Sequence, residues 1–573
     1  MDRRPESSSE RTAAVQGWRA RRWLWVAAGY ALIVGYLTVR DFGATAYDDS
    51  YFFKRFAINA LDHGVFAWNV EDGPIFGSTS QIFQLLTTAV TAVTRTHFVV
   101  AVRFMNALAL CGLGAWLFRW SARASATPWG GPAVALLALG SPIVVGTVLT
   151  GMETAVALLL LAVVLTRLFP ARGETLPAIA AWQAAALTVA VYLCRPDAAV
   201  LPAVAIVVAR LQQREFPVAY LAWLTALMLV VWGTSWAYYG TPLPLSFYMK
   251  SLALQNYGEH MVGLGRHDKQ LHFGVTLALS APLLWIVIRS GARGVTLALL
   301  VASGCLWAYH LVSTNEIMGY RGRFYLPAVV PLAMAAARSW DGFLARRPRW
   351  PTLLMLATWA VAVAWAYAER AIPSHEGFFI ARLSWPAYAG MVAAAVGLML
   401  GSRHRGGWLG PALVFIGLMA GLVGWKPPGP TRMPSDLALM RKHSREVTTV
   451  RGVFAVARCL PGKRSVYHSE MGVTGVVLMD RRIVDLAGIL SRGPGIDGRP
   501  FQDYCEQDQP EAIFLPHRNY RVLNAEIQAA PCFANYRRVV DRSSSPLHVR
   551  ADLHDAFIDC APNLARWRRR SSP

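Results

Sequence analysis

Two adjacent carboxylates, Asp48 and Asp49, stand directly after the first apolar run, in the stretch Tyr47-Asp-Asp-Ser-Tyr-Phe-Phe-Lys-Arg55. A carboxylate at a partly dry boundary can have its pKa raised into the range where it takes a proton from a hydroxyl. One of the pair is therefore a candidate general base, and the other can cap the helix next in the chain. Cations suited to an anionic leaving group are Arg195, Lys250, Arg321 and Arg323, all at ends of apolar runs. Arginine grips phosphate with two parallel hydrogen bonds, and lysine offers a mobile point charge. Lys54, Arg55, Glu153, Asp197 and Tyr239 complete the groups expected at a substrate. His63, His97, His260 and His267 lack metal-ligand spacing. No glycine-rich phosphate loop, nucleophile elbow or HExxH motif occurs, which argues against a nucleotide donor.

The acid pair must be held by the residues C-terminal to it. Phe53, Phe56, Ala57, Ala60 and Leu61 fall on one face of a helix, Ser50, Lys54, Asn59 and His63 on the other, and Gly64 is a stop signal. This helix is expected to lie along the membrane surface. The membrane itself is read from composition. The chain has 573 residues, 54% hydrophobic and 16% charged, with many apolar runs of roughly 17–21 residues, enough to span about 30 Å of hydrocarbon. Thirteen spans are expected, near 23–39, 98–118, 131–149, 152–169, 176–194, 197–210, 217–237, 271–288, 295–313, 324–338, 350–368, 385–401 and 408–425.

The net charge of +22 sits mostly in short loops between these runs. It therefore sets topology and meets anionic headgroups, with no nucleic acid as partner. Six arginines before Trp23 place a basic N-terminus, residues 1–22, in the cytoplasm, and the first apolar run reads as an uncleaved signal anchor. Alternation then puts Arg119 and Arg123, Arg167 and Arg172, Arg210 and Arg214, Arg289 and Arg293, Arg346 to Arg349, and Arg403 and Arg405 on the inner side. Counting Gln81 to Thr94 as a span would break that pattern, so it is read as a helix packed at the outer surface or a re-entrant piece. The transmembrane region, 23–425, then carries a first outer loop at 40–97, and the candidate polar groups converge on the outer side.

The Pro-Pro-Gly-Pro run after Lys426 marks a linker. Residues 426–565 read as an extracytoplasmic α/β domain, and 566–573 as a disordered tail. Strands are expected at Ser465 to His468, Gly475 to Met479, Arg482 to Leu486 and Ala512 to Leu515. Cys459, Cys505, Cys532 and Cys560 allow two disulfides in three connectivities. Cys111, Cys194 and Cys305 lie in apolar runs and read as packing residues.

Taken in order, several short motifs resemble polyprenyl-phosphate-sugar-dependent glycosyltransferases of the GT-C superfamily, and among these the actinobacterial terminal arabinofuranosyltransferases. The motifs are Asp48-Asp49, Arg55, Asn59, Gly64, Phe66, Asn69 and Ser78-Thr79-Ser80, then Gly151-Met-Glu-Thr154, Arg195-Pro-Asp197, Tyr239-Gly-Thr-Pro-Leu-Pro244 and Arg323-Phe-Tyr-Leu-Pro327. Glu470-Met-Gly472 and Val484-Asp-Leu-Ala-Gly488 extend the resemblance into the C-terminal region. It implies a polytopic α-helical GT-C fold and a multi-pass protein of the bacterial cytoplasmic membrane with an extracytoplasmic site. It also implies a polyprenyl-phosphate sugar donor, a glycan acceptor, contact with membrane lipid, and an aspartate of the first outer loop at the reaction centre. A divalent metal at Asp48/Asp49 stays open, and no other cofactor is indicated. Ser50 stands where the family has glycine, which leaves the sugar and acceptor unspecified. The rival reading is a transporter or flippase of lipid-linked sugars, which would need a polar path through the whole membrane.

Overall fold

The structure is a computed structural model describing residues 22–40, 48–127, 129–171, 179–250, 266–313, 323–346, 435–444, 447–460, 462, 464–517, 520–539 and 545–564. Its first part is a helical bundle. The helices are α1 (Arg22–Arg40), α2 (Asp48–His63), α3 (Gln81–Thr94), α4 (Phe98–Ala124), α5 (Gly130–Leu139), α6 (Pro142–Thr150), α7 (Thr154–Leu168) and α8 (Ala181–Cys194). They continue with α9 (Val200–Gln212), α10 (Val218–Tyr239), α11 (Leu245–Lys250), α12 (Arg266–Ser290), α13 (Val295–Ser313) and α14 (Val329–Ala345).

Helix α14 sits at the centre. Ala333, Ala335, Ala336 and Ala337 are all buried, and it packs against α5, α12 and α13. Small side chains let these backbones approach closely, as in membrane bundles. Helices α4, α10 and α13 are long and apolar enough to cross a bilayer. Most of α10 is outward-facing, with Leu229, Val230 and Trp236 more than half exposed. An apolar surface of that kind suits hydrocarbon rather than water. The expected span 131–149 is instead two short helices, α5 and α6, broken at Gly140-Ser141-Pro142, where proline opens a new helix. Spans 350–368, 385–401 and 408–425 lie outside the described residues, as does the tail 566–573.

The basic ends of the helices meet at one end of the bundle. Arg346 donates to the Arg289 carbonyl at 2.6 Å and Arg338 to the Pro170 carbonyl at 2.7 Å. Helix α2 has the expected pattern, ending at Gly64 with φ +72°, and α3 packs along it. Its polar face differs from expectation: Ser50, Lys54 and Asn59 are buried. That face lies under the C-terminal domain.

The C-terminal domain comprises α15 (Asp436–Ser444), α16 (Thr448–Cys459), β1 (Val466–His468), α17 (Gly472–Val477), β2 (Ile483–Asp485), α18 (Phe501–Asp508), β3 (Ala512–Phe514), α19 (Arg521–Ala529), β4 (Tyr536–Arg538), β5 (Leu547–Arg550) and α20 (Ala551–Cys560). The sheet order is β2-β1-β3-β5-β4, with β1 parallel to β2 and β3, and β5 antiparallel to β3 and β4. Disulfides join Cys459 to Cys560 and Cys505 to Cys532. Three expected strands are present. The fourth, Gly475 to Met479, begins instead inside helix α17, because the start of that helix is capped by a partner far away in sequence, Asp48. Edge strand β2 is covered by the first loop: the Asn69 side chain accepts from the Ile483 amide at 2.9 Å and donates to its carbonyl at 3.0 Å. Covering an exposed edge in this way removes a site of unwanted pairing.

Two buried cations of α2 fasten loop to domain. Lys54 donates to Asp436 at 2.5 Å, with both side chains nearly inaccessible. Asp436 also accepts from the amides of Phe98 and Val99, so it closes the start of α4. Arg55 donates to the carbonyls of Trp68, Gly475, Leu478 and Arg481 and to Asn69. Removing one partner of a buried pair strands the other and costs about 3–5 kcal/mol. Lys54→Met is therefore expected to lower the thermal unfolding midpoint of the detergent-solubilised protein by many degrees; an unchanged midpoint would show that this pair does not hold the domain.

Candidate active site

Asp48 and Asp49 form the first turn of α2, where carboxylates are favoured by the helix dipole. Their fates differ. The Asp48 carboxylate accepts from the amides of Gly472 at 2.7 Å and Val473 at 2.8 Å. It thus caps α17 across 424 residues of sequence. Gly472 permits the approach, since a Cβ there would stand 1.6 Å from the Asp48 carbonyl oxygen. Asp49 makes no hydrogen bond or ion pair among the described residues and is half-buried. It is the uncommitted carboxylate.

A third acid stands beside them. Glu470 lies two residues before Gly472, its amide donating to His468 Nδ1 at 2.7 Å. Burial pushes the His468 imidazole down to about 3, so the ring is neutral and can accept. Burial, reinforced by the charges of Asp48, Asp49 and Asp485, pushes the Glu470 carboxyl up to about 8. Burial also pushes Asp48 up to about 6, with the Val473 amide pulling the other way and the Asp49 charge adding to the rise. Near neutral pH Glu470 therefore holds a proton beside two aspartates.

A second polar group gathers at the same end. Arg195 ends α8 in an extended conformation and Pro196 starts a single 3-10 turn, which folds Asp197 back onto the guanidinium at 3.1 and 3.2 Å. Arg195 further donates to Glu153 at 3.3 Å, to the Thr154 hydroxyl at 3.2 Å and to the Arg323 carbonyl at 3.3 Å. His310 Nε2 lies 3.1 Å from Asp197. Arg195 is thus fully engaged with two carboxylates. Arg323 has no acidic partner among the described residues, its Nε is buried without an acceptor, and its guanidinium sits 5.5 Å from the Phe324 ring. Among the described residues it is a candidate cation without an acidic partner. The two groups flank one apolar cluster in which Met152, next to Glu153, packs with Tyr51 and Val473.

The remaining candidates divide. Lys54 and Arg55, expected at the substrate, instead point into the protein and hold the C-terminal domain. Lys250 ends the short helix α11. Arg321 lies outside the described residues. Tyr239 stacks on Phe76 at 4.6 Å and forms a wall shared by two cavities. One, of about 320 Å³, is polar and lies between the first loop, the turn after α10 and the C-terminal domain. The other, of about 190 Å³, is lined mainly by Phe56, Phe66, Ile75, Phe76, Leu85 and Tyr239. His310 has no signal in the sequence, being a lone histidine in an apolar run. Nor does the proton on Glu470, whose neighbours come from the other end of the chain.

The described residues give a divalent metal at Asp48/Asp49 no complete ligand set. Both Asp48 oxygens are taken by amides, and no group of three His, Cys, Asp or Glu side chains among the described residues is placed to ligate an ion.

The chain is thus a mostly helical bundle with a small appended sheet. The same fold is found in ArnT from Cupriavidus metallidurans, solved bound to undecaprenyl phosphate, with 16% identity, a TM-score of 0.54, and coverage of 92% of this chain and 98% of that one. The apo structure of the same protein gives 16% identity, a TM-score of 0.53 and coverage of 94% and 99%. No protein-family profile matches the chain, and no curated protein matches it in sequence.

The raised carboxyl of Glu470 has a signed consequence. Its folded pKa of about 8 lies above the ordinary 4.5, so the stability it contributes is complete below pH 4.5 and is lost as pH rises through 8. Glu470→Gln should melt higher than wild type above pH 8, with the gap closing towards pH 5. Parallel melting curves across that window would show that Glu470 is not held protonated.

Proposed function

We propose that this protein is a membrane glycosyltransferase that moves a sugar from a polyprenyl-phosphate donor to a glycan acceptor. The observation that carries the reading is that, among the described residues, Asp49 and Arg323 are left without a partner of opposite charge, and that their two polar groups border the one apolar cluster holding Tyr51, Met152 and Val473. The ArnT fold, solved with a polyprenyl phosphate bound, supports the donor class. The sugar we assign is a pentose such as arabinofuranose, on the strength of the motif resemblance. The basic helix ends at the opposite end of the bundle support an extracytoplasmic site in the bacterial cytoplasmic membrane.

In the reaction, Asp49 takes the proton of an acceptor hydroxyl as its oxygen bonds to the anomeric carbon. The bond from that carbon to the phosphate oxygen breaks, and the lipid phosphate leaves with the electron pair. Arg323 stabilises the charge that builds on the phosphate. Arg195 positions Arg323 through its backbone carbonyl, and Asp197 and Glu153 position Arg195. Asp48 fixes the start of α2 and so the place of Asp49.

The test uses purified protein, a labelled polyprenyl-phosphate pentose and a glycan acceptor. Wild type should form a covalent glycoside, and Asp49→Asn should lower kcat by about 10²–10⁴, the usual worth of a general base. Arg323→Met should raise the donor KM. Full activity in Asp49→Asn would remove the proposed base. Movement of the donor across vesicles without any glycoside would make the protein a flippase.

A further inference from the structure

The polar cavity between the first loop and the C-terminal domain belongs to neither acid cluster. Its volume, about 320 Å³, falls within the range of small-ligand sites, which occur preferentially at domain interfaces. It is a built feature. Asp485 accepts from the amides of Ala487, Ile489 and Leu490 and so shapes the loop that forms one wall. Gly488, at φ +74°, lets that loop close against Gly495, where a Cβ would come within 2.6 Å. The Leu245 amide donates to the Phe76 carbonyl at 2.8 Å, tying the opposite wall together.

Charge decides what fits. The ionic lining residues are Arg482, Arg492 and Arg499 against Asp72, Asp497 and Asp508, three positive and three negative, so their sum is zero. Arg482 bridges Asp72 of the first loop and Asp508 of the domain, and Arg492 pairs with Asp497. A phosphate or nucleotide entering here would meet three carboxylates as well as three guanidiniums, with no net charge to draw it in. A neutral, hydroxyl-rich ligand carries no charge to be repelled, and each of its hydroxyls can both donate to a carboxylate and accept from a guanidinium. Tyr239 and Tyr504 add amphipathic walls of the kind that bind one apolar and one wet face.

We infer that this cavity binds an uncharged saccharide, as the acceptor subsite of the reaction proposed above, on which the word acceptor rests. The saccharide site itself stands on the cavity alone. Asp49, outside the cavity, acts on the acceptor's reacting end, and the cavity holds the sugars behind it.

Gly493 lines the cavity, and a Cβ added there meets nothing within 4 Å. Gly493→Trp therefore fills the space without a backbone clash. The full-length protein in nanodiscs would be photolabelled with neutral oligosaccharides of pentofuranose, hexofuranose and hexopyranose units, each carrying a diazirine, and with a phosphorylated analogue of each. At least one neutral probe should label residues 68–76 or 484–508. Gly493→Trp should weaken that labelling at least tenfold while its melting temperature and its binding of undecaprenyl phosphate stay unchanged. If no neutral probe labels these segments, if the phosphorylated analogues label them more strongly, or if Gly493→Trp labels like wild type, the inference fails. A misfolded Gly493→Trp is replaced by Gln507→Trp at the same cavity, read by the same criteria. Labelling without sugar transfer would instead retain the saccharide site and overturn the enzyme reading, so the two failures are separable.

Discussion

Two amide-to-carboxylate hydrogen bonds, from Gly472 and Val473 to Asp48, set the geometry on which the site depends. They join the first residue of α2 to the first turn of a helix more than four hundred residues later. A carboxylate at a helix N-terminus satisfies amides that have no partner within the helix and meets the positive end of its dipole. Every other fastener between loop and domain works with this one. Lys54 reaches Asp436, Arg55 reaches four carbonyls, and Asn69 completes the edge of β2. Buried polar groups of this kind specify register, since a slip of one residue would leave several charges unpaired. The candidate site is therefore composite. The first loop carries Asp49, and the C-terminal domain fixes the start of its helix through Asp48.

Adjacent residues of the same type have been given opposite tasks. Asp48 is spent on two amides and Asp49 on nothing among the described residues. Arg195 is spent on Glu153 and Asp197, while Arg323 is left with an aromatic ring and a buried Nε lacking an acceptor. Reactivity at such a site depends on the groups that remain unsatisfied once the fold is complete. A carboxylate already holding two hydrogen bonds is a poor base, and a guanidinium already facing two carboxylates has little left for a phosphate. Both halves of each pair are needed, because the committed member orients the uncommitted one.

This division explains how much of the site is legible in the sequence. Helix α2 and its stop at Gly64 are legible from spacing, and so are β1, β2 and β3 from short runs mixing β-branched and aromatic residues. The acid pair and the Arg195-Pro-Asp197 turn stand out as charges beside apolar runs. Lys54 and Arg55 look like substrate contacts because helical periodicity gives a polar face but not its neighbour, and here the neighbour is a folded domain. Gly475 to Met479 has the composition of a strand, yet α17 begins at Gly472 because Asp48 supplies the cap. Tertiary contact overrides local preference. Cysteine spacing allows three pairings, and only the packing of α16 against α20 brings Cys459 to Cys560. His310 and the proton on Glu470 have no local signature, since both depend on charges brought in from distant elements.

One interface borders both the acid cluster and the polar cavity. Arg482 holds Asp72 and Asp508 at once, so the contact that seats the first loop on the domain also closes the wall of the polar cavity. The amides that hold Asp48 belong to a helix whose Gly475 packs against Trp68, and Trp68 lines that cavity. The physical cost of burying so many charges at this seam is offset only when all of them are paired.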